Sequence, residues 1–241
     1  MAKTNKGLAD YAIANLGNPY WYGTVGQRGS EELYIDRRND YPRYYDGWPK
    51  SSFEAQYGKR VHDCVGLIKG YLWRKDLASE PVYNHDQDLS ANGMYGRATK
   101  GGSLNTLPEE PGICLWKQGH TGVYIGNGRV VEARGHDYGI VMTDLGSRGW
   151  EQWYQCPFIS QEPQKQTYNL FHDYLRKGSK GAQVVAVQAI LEGLGYRLPK
   201  YGVDGDFGSE TEAAVMSFQR NNRLDPDGVV GPLTGAKIFG I

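Results

Sequence analysis

The sequence has no excess of charge of either sign. Its 241 residues include 27 Lys and Arg against 27 Asp and Glu, so the formal net charge is zero. Proteins that bind polyanions usually carry a basic surplus, so nucleic acid is not an expected partner. No apolar run approaches the ~18 residues of a membrane span, and the N-terminal residues contain no apolar segment typical of a secretory signal. We therefore expect a protein that does not insert into membranes and stays in the cytoplasm where it is made.

Cysteine is scarce, with three widely spaced residues, Cys64, Cys114 and Cys156. An odd number at this spacing fits reduced thiols better than a disulfide framework. The paired cysteines or H-E-x-x-H pattern of a zinc site are missing. The segment 126–131 lacks the last glycine of the dinucleotide pattern G-x-G-x-x-G. We expect neither a metal nor a cofactor.

Glycine and tyrosine, in contrast, are abundant. The chain contains 33 Gly, 18 Tyr and 6 Trp against only 6 Phe. This composition excludes a disordered chain and indicates turn-rich globular structure with amphipathic rings. A polar stretch without periodicity at 160–168 reads as a linker. We predict two domains, at 1–159 and 169–241.

The order of the periodic segments in the first domain predicts an α+β fold. Apolar residues recur at helical spacing in two segments, which begin at Leu8 and Val65. Short apolar segments between Gly and Asn turns then predict strands at 113–116, 121–125, 130–133, 140–143 and 152–158. Helices followed by a strand meander indicate a central antiparallel sheet. The second domain is predicted to be small and all-α.

Cys64 is the best candidate for a nucleophile. It follows a loop and begins the predicted helix, whose unpaired N–H groups and partial positive charge favour a thiolate. Cys114 lies within an apolar strand and Cys156 precedes Pro157, so both are interpreted as inert packed residues. A cysteine nucleophile needs a base. His120, at the start of a strand, is the best placed of the five histidines.

The register of the hairpin around residue 127 decides what lies beside His120. With a two-residue loop, apolar residues of the first strand share a face with Glu132 and Arg134. With a three-residue loop at 126–128, ending in a left-handed glycine, the apolar residues of both strands form one face. We adopt the second register because it separates the faces better. It places Glu132 and His136 diagonal to His120, so either side chain is a candidate to orient the imidazole.

Three blocks in the first domain carry a resemblance. The segments 18–23 (NPYWYG), 63–67 (DCVGL) and 120–128 (HTGVYIGNG) resemble the signature blocks of NlpC-type cell-wall cysteine peptidases, which are papain-like enzymes acting on peptidoglycan stem peptides. The resemblance implies Cys64 as nucleophile on an N-terminal helix, His120 as base and Tyr20 as a contributor to the oxyanion site. It matches Glu132 to the third polar position, where the family more often has His, Asn or Gln, so His136 remains an alternative.

A long segment, at about 27–60, separates the first block from the second and is an insertion relative to compact members of that family. It is rich in aromatic residues, which either bind glycan or stem peptide or pack on one another. The candidate substrate-binding residues in and around it are Trp21, Tyr22, Asp63, Tyr44, Tyr45 and Trp48.

The second domain contains a small internal repeat. The pattern D-G-x-x-G occurs at 204–208 and 227–231, and each copy precedes a threonine, Thr211 or Thr234, which we interpret as a turn followed by a helix N-cap. With the segments 175–181 and 187–191, these copies resemble the small three-helix peptidoglycan-binding domain. Bacterial peptidoglycan is the partner that both resemblances imply.

The combined expectation is a peptidoglycan endopeptidase with a wall-targeting domain. Without a signal segment it resembles a phage endolysin, which stays in the host cytoplasm and acts on the wall after release by a holin-type partner. Two alternatives remain open. The same Cys–His pair is compatible with an N-acetylmuramoyl-L-alanine amidase or a transpeptidase, and an inactive wall-binding protein would retain the same sequence blocks.

Overall fold

A computed structural model of the protein describes residues 3–160, 174–222 and 224–239. The chain divides into two compact units, residues 1–165 and 166–241. The predicted linker at 160–168, apart from Ser160, lies outside the described residues. Within the described part of the chain, no helix has the length and apolar character that crossing a membrane requires.

The first unit combines helices with two antiparallel sheets. Its helices are α1 (Asn5–Ala14), α2 (Glu31–Asp40), α3 (Pro42–Tyr45), α4 (Lys50–Glu54), α5 (Gly66–Leu72) and α6 (Ala91–Arg97). Its strands are β1 (Val25–Arg28), β2 (Arg60–His62), β3 (Gly101–Ser103), β4 (Cys114–Lys117), β5 (His120–Gly126), β6 (Arg129–Ala133), β7 (Ile140–Asp144) and β8 (Gln152–Tyr154).

The main sheet is six-stranded, in the order β3-β8-β4-β5-β6-β7, and each neighbouring pair is antiparallel. Strands β4 to β8 overlap the five predicted strands, which confirms the α+β class and the antiparallel sheet. The small sheet of β1 and β2 was not predicted, because its strands are only four and three residues long.

Helices α1 and α5 pack against each other, and α1 covers β5 and β6. The Thr4 hydroxyl caps α1 by accepting a hydrogen bond from Gly7 N at 3.1 Å. Leu8 and Ala12 of α1 are fully buried, as are Val123 and Val131 of the sheet. The other face of the sheet is also covered, by a cluster that includes Tyr124 and Trp150. The central strands are therefore buried on both faces.

The hairpin of β5 and β6 has the predicted register. Val123 pairs with Val131 and Tyr124 with Val130, as predicted, whereas Gly126 with Arg129, beside the turn, is a pair of the two-residue-loop register.

The loop of this hairpin is shorter than predicted. Only Asn127 and Gly128 turn, with φ of 52° and 68°, the left-handed pair of a two-residue type I′ turn. The register shifts between Tyr124 and Gly126, so a bulge in the strand takes up the residue that was assigned to the loop. Bulge and short turn together give the same pairing as a three-residue loop.

The insertion at 27–60 folds as α2, α3 and α4 between the strands of the small sheet. Tyr34, Tyr45 and Phe53 from these helices are buried against Trp21 and Val61. Trp21 contacts Phe53 with ring centroids 5.4 Å apart in an edge arrangement. The insertion therefore packs its aromatic residues on Trp21 and Val61, which flank it in the sequence.

The second unit contains α7 (Ala182–Gly193), α8 (Ser209–Asn221) and α9 (Pro232–Phe239). Two buried glutamines repeat the same contacts. Gln188 Nε2 donates to Asp204 Oδ1 at 2.8 Å and to Thr211 Oγ1 at 3.0 Å, and Gly205 N donates to Gln188 Oε1 at 2.8 Å.

Gln219 makes the equivalent set. Its Nε2 donates to Asp227 Oδ1 at 2.7 Å and to Thr234 Oγ1 at 3.0 Å, and Gly228 N donates to its Oε1 at 2.9 Å. We call each set an amide clamp. The interpretation of Thr211 as an N-cap was wrong, because Gly208 holds the cap position and the Thr211 hydroxyl accepts from the glutamine instead.

Candidate active site

Cys64 lies where strand β2 passes into helix α5. Asp63 begins the helical turn, since its carbonyl accepts from Leu67 N at 3.0 Å and its Oδ1 accepts from Gly66 N at 2.6 Å. Gly66 has no room for a side chain, because a Cβ there would collide with the Thr24 carbonyl oxygen. The turn that carries Cys64 is therefore fixed from two sides, and Cys64 stands at the beginning of the helix as predicted.

The backbone N–H groups at the helix start favour a Cys64 thiolate, as predicted, but other contributions to the pKa of the thiol outweigh them. Burial, followed by the negative charge of Asp63, raises the pKa of Cys64 to about 12. Backbone N–H groups, among them that of Thr121, oppose this rise without cancelling it. The thiol thus needs a base to take its proton. Thr121 directly follows His120, so this contact brings β5 to the thiol.

His120 and Glu132 meet across the hairpin, with Nε2 and Oε2 2.7 Å apart. This contact occupies Nε2 of the imidazole and leaves Nδ1 for a second partner. Thr121, the residue after His120, donates its backbone N–H to the Cys64 sulfur, so the start of β5 lies beside the thiol. His120 and Glu132 therefore have the geometry of a base and its orienting carboxylate.

Glu132 is completely buried in β6 and accepts from three side chains. Besides His120, Thr143 Oγ1 donates to its Oε1 at 2.9 Å, and Arg148 donates from Nε to Oε1 at 2.7 Å and from Nη2 to Oε2 at 3.3 Å. Burial alone raises the pKa of Glu132, but these hydrogen bonds outweigh burial and lower it to about 2. Glu132 is therefore ionised at neutral pH.

His136, the alternative third member, is turned away from His120. Its Nε2 lies 3.0 Å from Ser52 Oγ, and its ring contacts those of Trp48 and Phe53. Since Glu132 reaches His120 and His136 contacts the insertion, the geometry favours Glu132.

Trp150 and Arg148 belong to the site but were not singled out from the sequence. The Trp150 ring lies nearly parallel to that of His120, with centroids 5.4 Å apart and 11° between the planes. Trp150 is buried, so it fixes one face of the imidazole. Both residues follow β7, outside the three sequence blocks, and no motif in their own segment marks them.

Tyr20 also lies close to Cys64. Burial, followed by the charges of Asp63 and Cys64, raises the pKa of Tyr20 well above its usual range. A bridge between Tyr20 and His62 holds this segment beside β2. The hydroxyl therefore stays protonated and remains available as a hydrogen-bond donor.

Cys64 opens into a cleft of about 520 Å³. One wall comes from the segment around the insertion and the other from the chain between α5 and α6. The side chains that line it include Tyr22, Arg37, Tyr41, Tyr44, Asp63, Cys64, Lys69, Trp73, Tyr83, Asp88 and Asn92. Tyr22 and Tyr44 stack with ring centroids 3.5 Å apart.

Four of the predicted substrate-binding residues have other contacts. Trp21 and Tyr45 are each 1% exposed and form part of the aromatic core, so they have no surface to offer a ligand. Trp48 packs on His136 and is not among the cleft-lining residues of the described chain. Asp63 lines the cleft, but its oxygens accept from Gly23 N at 2.9 Å and from Gly66 N. These hydrogen bonds hold the turn that carries Cys64 in place. Tyr22 and Tyr44 remain candidates.

Lys69 and Asp88 both line the cleft and form an ion pair, with 2.7 Å between Lys69 Nζ and Asp88 Oδ1. The Lys69 side chain is only 11% exposed, so Asp88 balances most of its charge and little is left to attract a ligand. Arg37, from the insertion, forms an ion pair with Asp40, with 2.8 Å between Nη2 and Oδ2, and its side chain is more exposed than that of Lys69. Among the residues that the structure describes, no group of three or more His, Cys, Asp or Glu is arranged to hold a metal ion.

Comparison with known proteins gives a family match in the second unit. Residues 180–238 match the family described as "Putative peptidoglycan binding domain". A probable N-acetylmuramoyl-L-alanine amidase of Bacillus licheniformis is 40% identical over 76 residues, which cover 32% of this chain and 22% of that protein. The zinc D-Ala-D-Ala carboxypeptidase of Streptomyces albus G is 38% identical over 65 residues, 27% of this chain and 26% of that protein. The chain thus spans about a quarter or less of the length of these two curated relatives.

Similar solved structures include two peptidoglycan hydrolases. The NlpC/p60 domain of the hydrolase SagA aligns over 63% of this chain and 97% of that chain, with 11% identity and a TM-score of 0.36. The hydrolase RipB of Mycobacterium tuberculosis aligns over 65% of this chain and 67% of that chain, with 13% identity and a TM-score of 0.37.

Proposed function

We propose that this protein is a peptidoglycan hydrolase that cleaves an amide bond of the stem peptide with Cys64 as nucleophile. The observations that support the proposal are the hydrogen bond between His120 Nε2 and the buried Glu132 and the position of Cys64 in the lining of an open cleft. The family match of residues 180–238 supports peptidoglycan as the substrate polymer.

In the first half-reaction, the Cys64 S–H proton passes to Nδ1 of His120, and the sulfur attacks the amide carbonyl carbon. The Cys64 backbone N–H and the Tyr20 hydroxyl donate to the oxyanion that forms. The imidazolium then gives its proton to the leaving nitrogen, the C–N bond breaks, and a thioester to Cys64 remains.

In the second half-reaction, His120 takes a proton from water while the water oxygen attacks the thioester carbonyl. The C–S bond breaks, and the proton held by His120 returns to the Cys64 sulfur. The released product is the carboxylic acid. Glu132 keeps the imidazole oriented through both steps because its oxygen accepts from Nε2.

The second unit is proposed to hold the enzyme on its polymer. A binding domain joined to a catalytic domain raises the effective concentration of substrate at the active site. A chain with zero net charge does not depend on bulk attraction to a polyanion, which fits binding through shape and aromatic contact.

An endolysin role is part of this proposal. The protein would collect in the host cytoplasm and reach the wall only when a holin-type partner opens the membrane. Cells that produce the protein with a holin should lyse, and cells that produce it alone should keep growing. Lysis without the holin would contradict the endolysin role without touching the hydrolase activity.

The experiment that tests the activity is a digest of purified peptidoglycan with wild type and with Cys64→Ser, resolved by mass spectrometry. Wild type should release fragments with a new N-terminal amino acid, and Cys64→Ser should lose at least about a thousand-fold in rate. Cys156→Ser is the matched control, since that thiol is buried away from the cleft. Free lactyl ends on muramic acid would indicate an amidase instead. Equal activity of Cys64→Ser and wild type would exclude the cysteine mechanism, and no products from wild type would leave the protein as a wall binder.

A further inference from the structure

The carboxylate of Glu132 differs from an uncharged orienting group in one respect. It is ionised and fully buried, and it touches the base directly, with 2.7 Å between Oε2 and His120 Nε2. A buried carboxylate in contact with an imidazole attracts the positive charge that the ring carries when it holds a second proton. An imidazole that holds its proton too tightly is a poor base for the water of the second half-reaction.

Arg148 supplies the opposite charge at the same carboxylate. Its Nε lies 2.7 Å from Oε1 and its Nη2 lies 3.3 Å from Oε2, the oxygen that His120 also contacts. The guanidinium thus spans both oxygens, a geometry in which Arg is specific and lysine is not equivalent. Its side chain is 22% exposed, so Arg148 retains contact with solvent, whereas Glu132 has none.

We propose that Arg148 is a positioning residue that offsets the charge of Glu132, so that Glu132 orients His120 without trapping a proton on it. This inference rests on the proposed function, because it concerns the same base. Arg148 touches no reacting atom and acts only through Glu132.

Other charged groups surround the pair. Lys117 of β4 lies opposite His120 in the ladder, and its Nζ donates to the Arg148 carbonyl at 2.7 Å. Arg134 and Glu151 also act on Lys117 electrostatically. Cys64, in the turn before α5, accepts from the backbone N–H of Thr121, the residue after His120. Of the side-chain hydrogen bonds described to Glu132, only those from Arg148 and His120 come from groups that carry or gain a positive charge.

The test uses the full-length protein and needs no substrate. Cys64 is alkylated with iodoacetamide across a pH series, and modification of the Cys64 peptide is followed by mass spectrometry. The pH at which the rate is half-maximal reports thiolate formation beside His120. In Arg148→Met the uncompensated Glu132 favours the imidazolium, so this midpoint should fall by about one pH unit or more.

Three further variants make the result specific. Glu132→Gln leaves Arg148 as an unpaired cation, so its midpoint should move up. The double variant Glu132→Gln, Arg148→Met removes both charges, so its midpoint should return close to that of wild type. Arg148→Lys keeps the charge and should shift less than the methionine variant. If Arg148→Met does not fold, Arg148→Gln removes the charge while keeping a donor, and the same downward shift is expected.

The inference would be overturned if the midpoint were unchanged or raised in Arg148→Met. It would also be overturned if the midpoint of the double variant stayed away from the wild-type value. Turnover gives a second readout. In Arg148→Met the thioester should accumulate, with kcat and KM both reduced by about ten-fold, because the second step slows more than the first. If wild type released no peptidoglycan fragments, the proposed function would fail while the alkylation series would still decide the role of Arg148.

Discussion

At the scale of single residues, His62 is a buried titratable group close to Cys64 in the sequence. It is fully buried two positions before Cys64, and its Nε2 lies 2.8 Å from the Tyr11 hydroxyl. Burial, followed by the positive charges of Arg74 and Arg60, lowers the pKa of His62 to about 3. The ring is therefore neutral in the folded protein over the whole range in which a free histidine titrates.

This shift predicts acid sensitivity. The folded pKa lies below the unfolded value of about 6.5, so the unfolded chain binds the proton more tightly. The stabilisation is complete above about pH 6.5 and is lost progressively as the pH falls toward 3, by a few kcal/mol in total. His62→Gln should flatten the fall in the free energy of unfolding between pH 7 and 4, measured by urea denaturation.

His85 provides the control for this prediction, because its side chain is 90% exposed. His85→Gln should leave the pH dependence as in wild type. If His62→Gln and wild type lost stability in parallel, the acid response would have to come from other groups.

The site residues differ in how far the sequence predicted them. Cys64 and His120 follow from local signals, a helix start and a strand start. Glu132 follows from the hairpin register, which alternation of apolar residues determines. The contacts of Arg148 and Trp150 depend on how the chain returns after β7, which no local pattern encodes. The high pKa of Cys64 could not be predicted from the sequence either, because burial of the thiol depends on how the whole domain packs.

At the scale of elements, the insertion divides its aromatic residues by position. Tyr34, Tyr45 and Phe53 face the core with Trp21, whereas Tyr44 faces the cleft. The sequence shows the cluster but not this division, because α3 and α4 are only four and five residues long and give too little periodicity to identify a face.

The division predicts different effects for two alanine variants. Tyr44→Ala removes a ring from the cleft wall, so KM for soluble stem-peptide fragments should rise several-fold while the free energy of unfolding changes by less than about 1 kcal/mol. Phe53→Ala empties a core position and should cost about 3 to 5 kcal/mol. Steady-state kinetics and thermal unfolding measure the two effects. An unchanged KM in Tyr44→Ala would remove this ring from substrate binding.

At the scale of the whole molecule, the two units place different demands on the chain. The first combines residues from the turn before α5, from β5 and β6 and from the segment after β7, so its site depends on how distant segments pack together. The second repeats one amide clamp, with Gln188 and Gln219 each joining a D-G turn to a following helix. The repeat of D-G-x-x-G was visible in the sequence, but the glutamines were not linked to it because they lie at least eight residues away.

The clamps predict a variant that separates wall binding from catalysis. Gln219→Leu leaves Gly228 N and the Asp227 carboxylate without their amide partner, at a cost of about 2 to 4 kcal/mol in the second unit. Retention on purified cell walls should fall, while the alkylation rate of Cys64 stays as in wild type. Asn221→Ala, at an exposed position of the same helix, is the control and should bind normally. Parallel loss of both properties would mean that the second unit supports the active site.

The parallel contact between Trp150 and His120 has a spectroscopic consequence. A protonated imidazole beside an excited indole quenches its fluorescence, whereas the neutral ring does so weakly. With 5.4 Å between the two ring centroids, the emission of Trp150 should dim as His120 gains a proton. The difference between the spectra of wild type and Trp150→Phe isolates this signal from the other tryptophans. The intact protein thus contains a label-free optical reporter of the charge on His120.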